Sequence, residues 1–243
     1  MGDYRRKSIL ILFIFSWSLM GVSAQPKKVT LTTHNLSPYG SFAPGSEHQF
    51  IADESFSGFA VDVVRCAAKK INWKLEVQVY PWARAQDLAQ RGKVDGFFAG
   101  SQKDSRDDFA VMSEIIAEQK WQWYQIKDSP IKVKDKKFKK EAKVGGFIGS
   151  NMLSWLLKNS YSVGVKAVDT EALLKILLIK RVDAVIANNL VMDQLLKKYK
   201  AEDKVEATVV RNKPLGVYFT KKFIKANPMF LGAFNKAVKE CRK

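Results

Sequence analysis

Apolar and polar residues alternate with a period of two over residues 28–33, where Val29 and Leu31 share a face, and again at Leu75, Val77 and Val79. Both patterns predict β-strands. Between them the period lengthens: Gly58-Phe59 opens a segment in which Phe59, Val63, Cys66, Ala67 and Ile71 recur at helical spacing. Residues 35–40 (Asn-Leu-Ser-Pro-Tyr-Gly) form a turn-rich loop, and residues 43–57 have no periodicity and read as a surface loop. Pro81 suits the first turn of a helix running to Gln90, with Gly92 at its C-terminal end. Residues 94–99 are a short apolar run of the kind buried in parallel sheets.

The second half repeats this order. Strands are predicted over 143–147, 162–168 and 182–187, and helices over 151–158, from an Asp169 or Thr170 cap to Ile179, and over 190–199. A strand over 216–220 and an amphipathic helix over 229–239 close the chain. Strand–helix alternation of this kind signifies an open α/β sheet. Residues 91–99 and 179–187 also echo each other. Each runs from a helix end through a basic residue and Val-Asp into an apolar strand, ending in a polar cluster, Ser101-Gln102 or Asn188-Asn189. Ligands of open α/β sheets sit beyond the carboxyl ends of strands, so two such lobes aim at one shared cleft.

The N-terminus is of another kind. Arg5, Arg6 and Lys7 precede an apolar run over 9–20, and Val22-Ser23-Ala24 presents the small residues a signal peptidase reads. The expectation is a cleaved leader over 1–24 and export to the periplasm, with an uncleaved anchor as the alternative; the run is short for a membrane span. Losing Asp3, Arg5, Arg6 and Lys7 with the leader takes the formal charge from +17 to +15. The lysines are spread along the chain and densest over 132–140, with Phe138 the one aromatic among them. A solvated basic face accounts for them, with attraction to anionic lipid or solute as the alternative; an exported chain without a nucleic-acid-binding motif is not expected to bind nucleic acid. Cys66 and Cys241, the only cysteines, read in an oxidising compartment as one disulfide or as two buried thiols. Two cysteines, with His34 and His48 both near the N-terminus, make no metal site, and no cofactor is implied.

The ordered set Ser37-Pro38-Tyr39, Gly58-Phe59-Ala60-Val61-Asp62, Tyr80-Pro81-Trp82, Gly92-Lys93-Val94-Asp95-Gly96, Gly100-Ser101-Gln102-Lys103-Asp104-Ser105-Arg106, Val144-Gly145-Gly146-Phe147-Ile148-Gly149-Ser150 and Arg181-Val182-Asp183-Ala184 resembles the type II periplasmic solute-binding proteins, in the amino-acid-binding-like branch (bacterial extracellular solute-binding protein family 3). The resemblance implies a two-lobed α/β fold. Lobe 1 takes residues 25–124 and 213–243, lobe 2 takes 125–212, and two hinge strands join them, crossing near Gln125 and Asn212. It also implies that Cys241 on the last helix reaches Cys66 on the first.

By the same resemblance the carboxylate-binding arginine falls on Arg106, whose planar donor fork suits a carboxylate; a surface arginine at a helix start is the alternative. Ser101 falls where a hydroxyl and an N–H share that anion; a turn serine at the strand end is the alternative. Ser150 falls at a helix N-terminus that favours an anion, or serves as a plain cap. Tyr39 and Trp82 are aromatic walls or core residues. Asn188 stands where amino-acid binders commonly carry an acid that pairs with the ligand ammonium, which puts an α-amino-acid ligand in doubt. The implied activity is hinge closure on a small carboxylate-bearing solute, amino-acid-like or organic acid, for an ABC-type transporter or a sensor in the membrane, by a monomer and without catalysis. The alternative is a dehydratase-like periplasmic enzyme on the same fold.

Overall fold

The structure, a computed structural model, describes residues 27–43, 51–52 and 55–242; the leader and His48 lie outside them. The first lobe begins with β1 (Lys27–Thr33), β2 (Ile51–Ala52), α1 (Phe59–Lys70), β3 (Trp73–Val79), α2 (Trp82–Gln90), β4 (Gly96–Ser101), α3 (Asp104–Asp107) and β5 (Ala110–Met112). The second holds β6 (Lys120–Ile126), α4 (Phe138–Glu141), β7 (Lys143–Phe147), α5 (Asn151–Lys158), β8 (Ser162–Ala167), α6 (Thr170–Leu178), β9 (Ala184–Asn188), α7 (Asn189–Lys198) and β10 (Val205–Asn212). The chain then returns to the first lobe with β11 (Leu215–Thr220), α8 (Lys221–Ala226) and α9 (Phe230–Cys241).

One sheet has six strands in the order β2-β3-β1-β4-β11-β5, and the other has five in the order β10-β6-β9-β7-β8. In each, three parallel strands (β3-β1-β4; β8-β7-β9) are followed by an antiparallel one returning from the other lobe's side, β11 or β6. The sequence echo therefore marks structurally equivalent strands, β4 and β9. The Val-Asp pair shows why it exists. Asp95 accepts from the Thr30 N–H at 2.8 Å and returns its own N–H to the Thr30 carbonyl at 2.9 Å. Asp183 does the same with Lys143, at 2.7 and 2.8 Å. Each aspartate bolts the entrance of one central strand to the next, so the ladder starts after it, at Gly96 and Ala184 and not at Val94 and Val182. Both strands consequently run on to Ser101 and Asn188, carrying polar residues out of wholly buried strands to the sheet edge.

The strand holding Gln125 pairs with the second sheet from Lys120 onward, where Lys120 lies opposite Asn212. The first crossing thus falls ahead of the Gln125 expected, between the Ala117–Leu215 bridge and Lys120. There the Lys213 N–H meets the Gln119 carbonyl at 2.9 Å, and the Gln119 amide donates to the Lys213 carbonyl at 2.6 Å. In the lysine-rich stretch Lys134, Lys136, Lys137, Lys139 and Lys140 are exposed while Phe138 is buried, a solvated basic face over one apolar anchor.

Phe219, Phe223, Phe230 and Phe234 stack edge to face at the centre of lobe 1 and hold α9 against the sheet. Cys66 on α1 and Cys241 on α9 form a disulfide with their Cα atoms 6.0 Å apart. Because it links residues 175 apart and the two ends of one lobe, reduction is expected to lower the unfolding free energy by about 2–4 kcal/mol. Denatured, unreduced protein should show no reactive thiol, and the melting temperature should fall with reductant; two labelled thiols would contradict the pairing.

The helices entering the two echoed strands end alike, with a left-handed residue: Gly92 at φ 66° and Lys180 at φ 55°. A side chain on Gly92 would meet nothing within 4 Å, so only conformation matters there. Lys180→Gly is expected to raise the unfolding free energy by about 0.5–1 kcal/mol and Gly92→Ala to lower it by a similar amount, both read from denaturant melts.

Candidate functional site

Five strand or helix ends converge between the lobes. From lobe 1 come the end of β1 with His34, the N-terminus of α2 with Trp82, and the end of β4 with Ser101. Arg106 follows on α3. Lobe 2 faces them with Ser150 and Asn151 at the start of α5 and Asn188 at the end of β9. These residues line one narrow cavity, bounded at the hinge by Gln119, Trp121 and Leu215. A bulge aims Ser101 into it. Ala99 sits at φ 63°, and the β4–β11 register steps from Phe98 to Gly100 across it, leaving Ala99 as the extra residue.

Arg106 is buried to 3% exposure. Its Nε and Nη2 both donate to Gln86 Oε1, at 2.9 and 2.7 Å, and Nη1 donates to the Ser101 carbonyl at 2.6 Å. Its plane lies against the Trp82, Phe97 and Tyr218 rings at 5.3–5.9 Å. Among the described residues no carboxylate forms an ion pair with it; burial draws its pKa down to about 10, and it stays charged at neutral pH. Three of its N–H groups are engaged in these bonds, of the five a guanidinium carries.

The lobes touch directly at this point. Asn151 Nδ2 donates to the Ser101 carbonyl, Ser101 Oγ and the Gln102 carbonyl, at 3.0, 2.8 and 3.2 Å. Gln86 Nε2 donates to the Gly149 carbonyl at 3.2 Å, and Lys103 Nζ to Ser154 Oγ at 3.0 Å. Gly149 is at φ 77°, and a Cβ there would stand 3.3 Å from the Ala83 backbone, so the closed contact requires glycine. At the far mouth of the cleft Ser37 Oγ donates to Gln194 Oε1 at 2.8 Å.

Of the residues singled out in sequence, Arg106, Ser101, Trp82, Ser150 and Asn188 share the cavity. Ser150 Oγ accepts from the Leu153 N–H at 3.0 Å, so it is a helix cap as well as a lining residue. Tyr39 is elsewhere. It is buried in the lobe 1 core with its hydroxyl donating to the Glu118 carbonyl at 2.9 Å, and burial followed by the nearby Glu118 and Asp193 carboxylates raises its pKa. The loop offers Leu36 to the cleft instead. Sequence reasoning passed over His34, Gln86, Trp121 and Asn151. His34 directly follows β1, so the strand-end rule was a usable signal for it; nothing comparable marked Gln86, which acts through Arg106.

Four lining side chains are buried with polar atoms that have no protein partner: both ring nitrogens of His34, Trp121 Nε1, Asn151 Oδ1 and Asn188 Oδ1. The His34 ring lies on Trp82 at 4.3 Å. Burial, then Arg106, lowers its pKa to about 3, so the imidazole is neutral at pH 7. Among the described residues no cluster of three His, Cys, Asp or Glu is placed to hold a metal.

A family model for bacterial extracellular solute-binding proteins, family 3, matches residues 40–243. Solved structures share the fold. A histidine kinase sensor domain with similarity to periplasmic binding proteins aligns at TM-score 0.75 and 14% identity, over 89% of this chain and 90% of its own. The substrate-binding protein of an ABC uptake transporter from Streptococcus pneumoniae, with bound histidine, aligns at 0.72 and 15%, over 89% and 87%. An arginine-bound mutant of ArgBP from T. maritima aligns at 0.71 and 14%, over 88% and 95%. No curated protein matches.

The neutral His34 has a measurable consequence. Its folded pKa lies below its unfolded value near 6.5, so the unfolded chain binds the extra proton and stability falls as pH drops from about 6.5 toward 3. Ligand-free protein is expected to lose up to about 1.4 kcal/mol per pH unit between pH 6 and 5, above the range of ordinary carboxylates. His34→Gln should flatten that slope in denaturant melts; an unchanged slope would place the titration elsewhere.

Proposed function

The chain belongs to the bacterial extracellular solute-binding proteins, family 3, and on that premise we propose that it captures a small carboxylate-bearing solute by closing its two lobes. Arg106 carries this reading: a guanidinium at 3% exposure with no carboxylate paired to it among the described residues, at the meeting point of both lobes. A buried cation is costly without a counter-charge, and a ligand carboxylate supplies one in the geometry a guanidinium fork favours. Contacts to Arg106 and Ser101 from one lobe and to the α5 N-terminus from the other favour the closed state over the open one.

The solute is then passed to an ABC-type membrane transporter or reported to a sensor. Among proteins of this fold, one is the binding protein of an ABC uptake transporter and another a histidine kinase sensor domain. The leader expected over residues 1–24 suits export to the periplasm, where the mature chain acts as a monomer. We infer binding without catalysis: among the described residues no aspartate, glutamate or lysine lines the cavity, and His34 is held neutral with a pKa too low for an effective base at pH 7.

Native mass spectrometry of freshly purified protein, followed by a thermal-shift screen of small carboxylates, identifies the solute. With it, Arg106→Ala is expected to weaken binding by about thirtyfold to several thousandfold in titration calorimetry, the usual range for truncating one side of a buried charge pair. Arg106→Lys should recover only part, because a point charge cannot replace the fork. Melts of the ligand-free variants confirm folding. Undiminished affinity in the folded Ala variant would remove Arg106 from the site.

A further inference from the structure

The cavity's charge and its unpaired atoms specify more than a carboxylate. We infer that the cleft is built for a monocarboxylic acid carrying hydroxyl groups and no ammonium, an inference that rests on the reading of Arg106 as the carboxylate anchor. Among the described residues of the lining, Arg106 alone is charged at neutral pH. Half-buried Lys103, held on Ser154 beside it, adds further positive potential. Asp107, the next residue, takes hydrogen bonds from the Tyr218 hydroxyl at 3.1 Å and from Gln102 at 2.7 Å, makes no ion pair with Arg106 and offsets its charge only in part. A monoanion neutralises this site. A zwitterion leaves its net positive charge in place and sets an ammonium in a cationic enclosure with no carboxylate to receive it.

The hydrogen-bonding atoms point the same way. The Asn151 amide orientation is fixed, because its Nδ2 is occupied by Ser101 and Gln102; its buried Oδ1 therefore asks for a donor. Trp121 Nε1 can only donate and asks for an acceptor. Neutral His34 offers one donor and one acceptor, and Asn188 is an uncharged amide at the end of β9. Donors and acceptors are thus interspersed around one small space. A hydroxyl both donates and accepts and so answers both kinds, whereas an ammonium answers acceptors alone and an alkyl chain answers neither.

The test uses the mature chain with matched acids: propionate, lactate, glycerate, alanine and serine, then hexanoate, gluconate and norleucine. A hydroxy acid is expected to give the largest melting shift and to bind roughly ten- to a hundredfold tighter in calorimetry than both its deoxy and its amino counterpart, since each counterpart leaves buried groups unpaired. Asn188→Asp, which exchanges one favourable N-cap residue type for another at the start of α7, should weaken the hydroxy acid at least about tenfold and admit the amino acid. An amino acid that binds the native chain as tightly as its hydroxy counterpart, and needs Arg106, would overturn this inference and leave the carboxylate anchor standing. A deoxy acid binding equally would do the same. If no acid binds and an uncharged polyol or an amine does, or if nothing in the set binds, the carboxylate reading falls and this inference falls with it.

Discussion

A guanidinium removed from water without a carboxylate against it sets the terms for everything around the cleft. Arg106 is held charged by what the chain can offer short of an ion pair: a side-chain amide oxygen that takes two of its N–H groups, a backbone carbonyl that takes a third, and three aromatic faces. Each comes from a different feature of lobe 1. Gln86 needs α2 to start at Trp82, the Ser101 carbonyl needs the bulge at Ala99, and Tyr218 needs β11 to return antiparallel beside β4. Partial satisfaction of this kind stabilises the position of the charge without cancelling it, and that is the condition for an anion to bind there with geometric selectivity.

The repeated lobe plan explains why a second wall faces that charge. Asp95 and Asp183 make the same two-way bond to the middle strand of their parallel trio, so β4 and β9 end at corresponding places, one in Ser101 and the other in Asn188. Between the lobes the chain crosses only at 117–120 and 212–215. The proposed closure would therefore turn where two short paired segments pass, and the disulfide, which ties α1 to α9 inside lobe 1, would not restrain it. The hydrogen bonds across the cleft come from Gln86, Lys103, Asn151 and Ser37, beside apolar packing of lobe 2 residues such as Val191 and Met152 against lobe 1. The polar contacts exchange readily with water, which suits the proposed reversible closure.

What the sequence discloses and what it hides follow from periodicity. Buried parallel strands such as β7 and β9 are short apolar runs, and α5 and α6 carry a capping Ser150 and Asp169, whose side chains do accept from Leu153 and Ala172. The hinge strands gave no such signal. In β6 the aromatic residues Trp121, Trp123 and Tyr124 fall on both faces, while edge strand β10 leaves Ala207 and Val209 exposed, so neither shows a clean inward face. The same limit governs the site. Arg106 and Ser101 lie beyond a legible strand in a recognisable motif. Tyr39 stays undecided in the sequence because an aromatic residue in a strand-end loop suits a ligand wall and a core equally well, and only packing decides for the core. Asn151 was hidden by the cap before it: Ser150 accounted for the helix start, and no pattern in one sequence shows that the next side chain reaches across a cleft.

The unpaired atoms of the cleft also bear on how closure is controlled. A buried polar group without a partner costs about 1–3 kcal/mol, and His34, Trp121, Asn151 and Asn188 all carry such atoms when the lobes meet. In the open form that the proposed closure requires, water would satisfy them. Closure over nothing but water-poor space would then be opposed by several groups at once, in addition to the uncompensated Arg106. A solute that pairs with them would remove the opposition and gain the charge interaction, and on the proposed reading this difference shifts the population toward the closed form. The residues that read the solute are thus the same residues that make closure depend on it, and a substitution that replaced them with well-packed apolar side chains would ease closure while erasing the dependence.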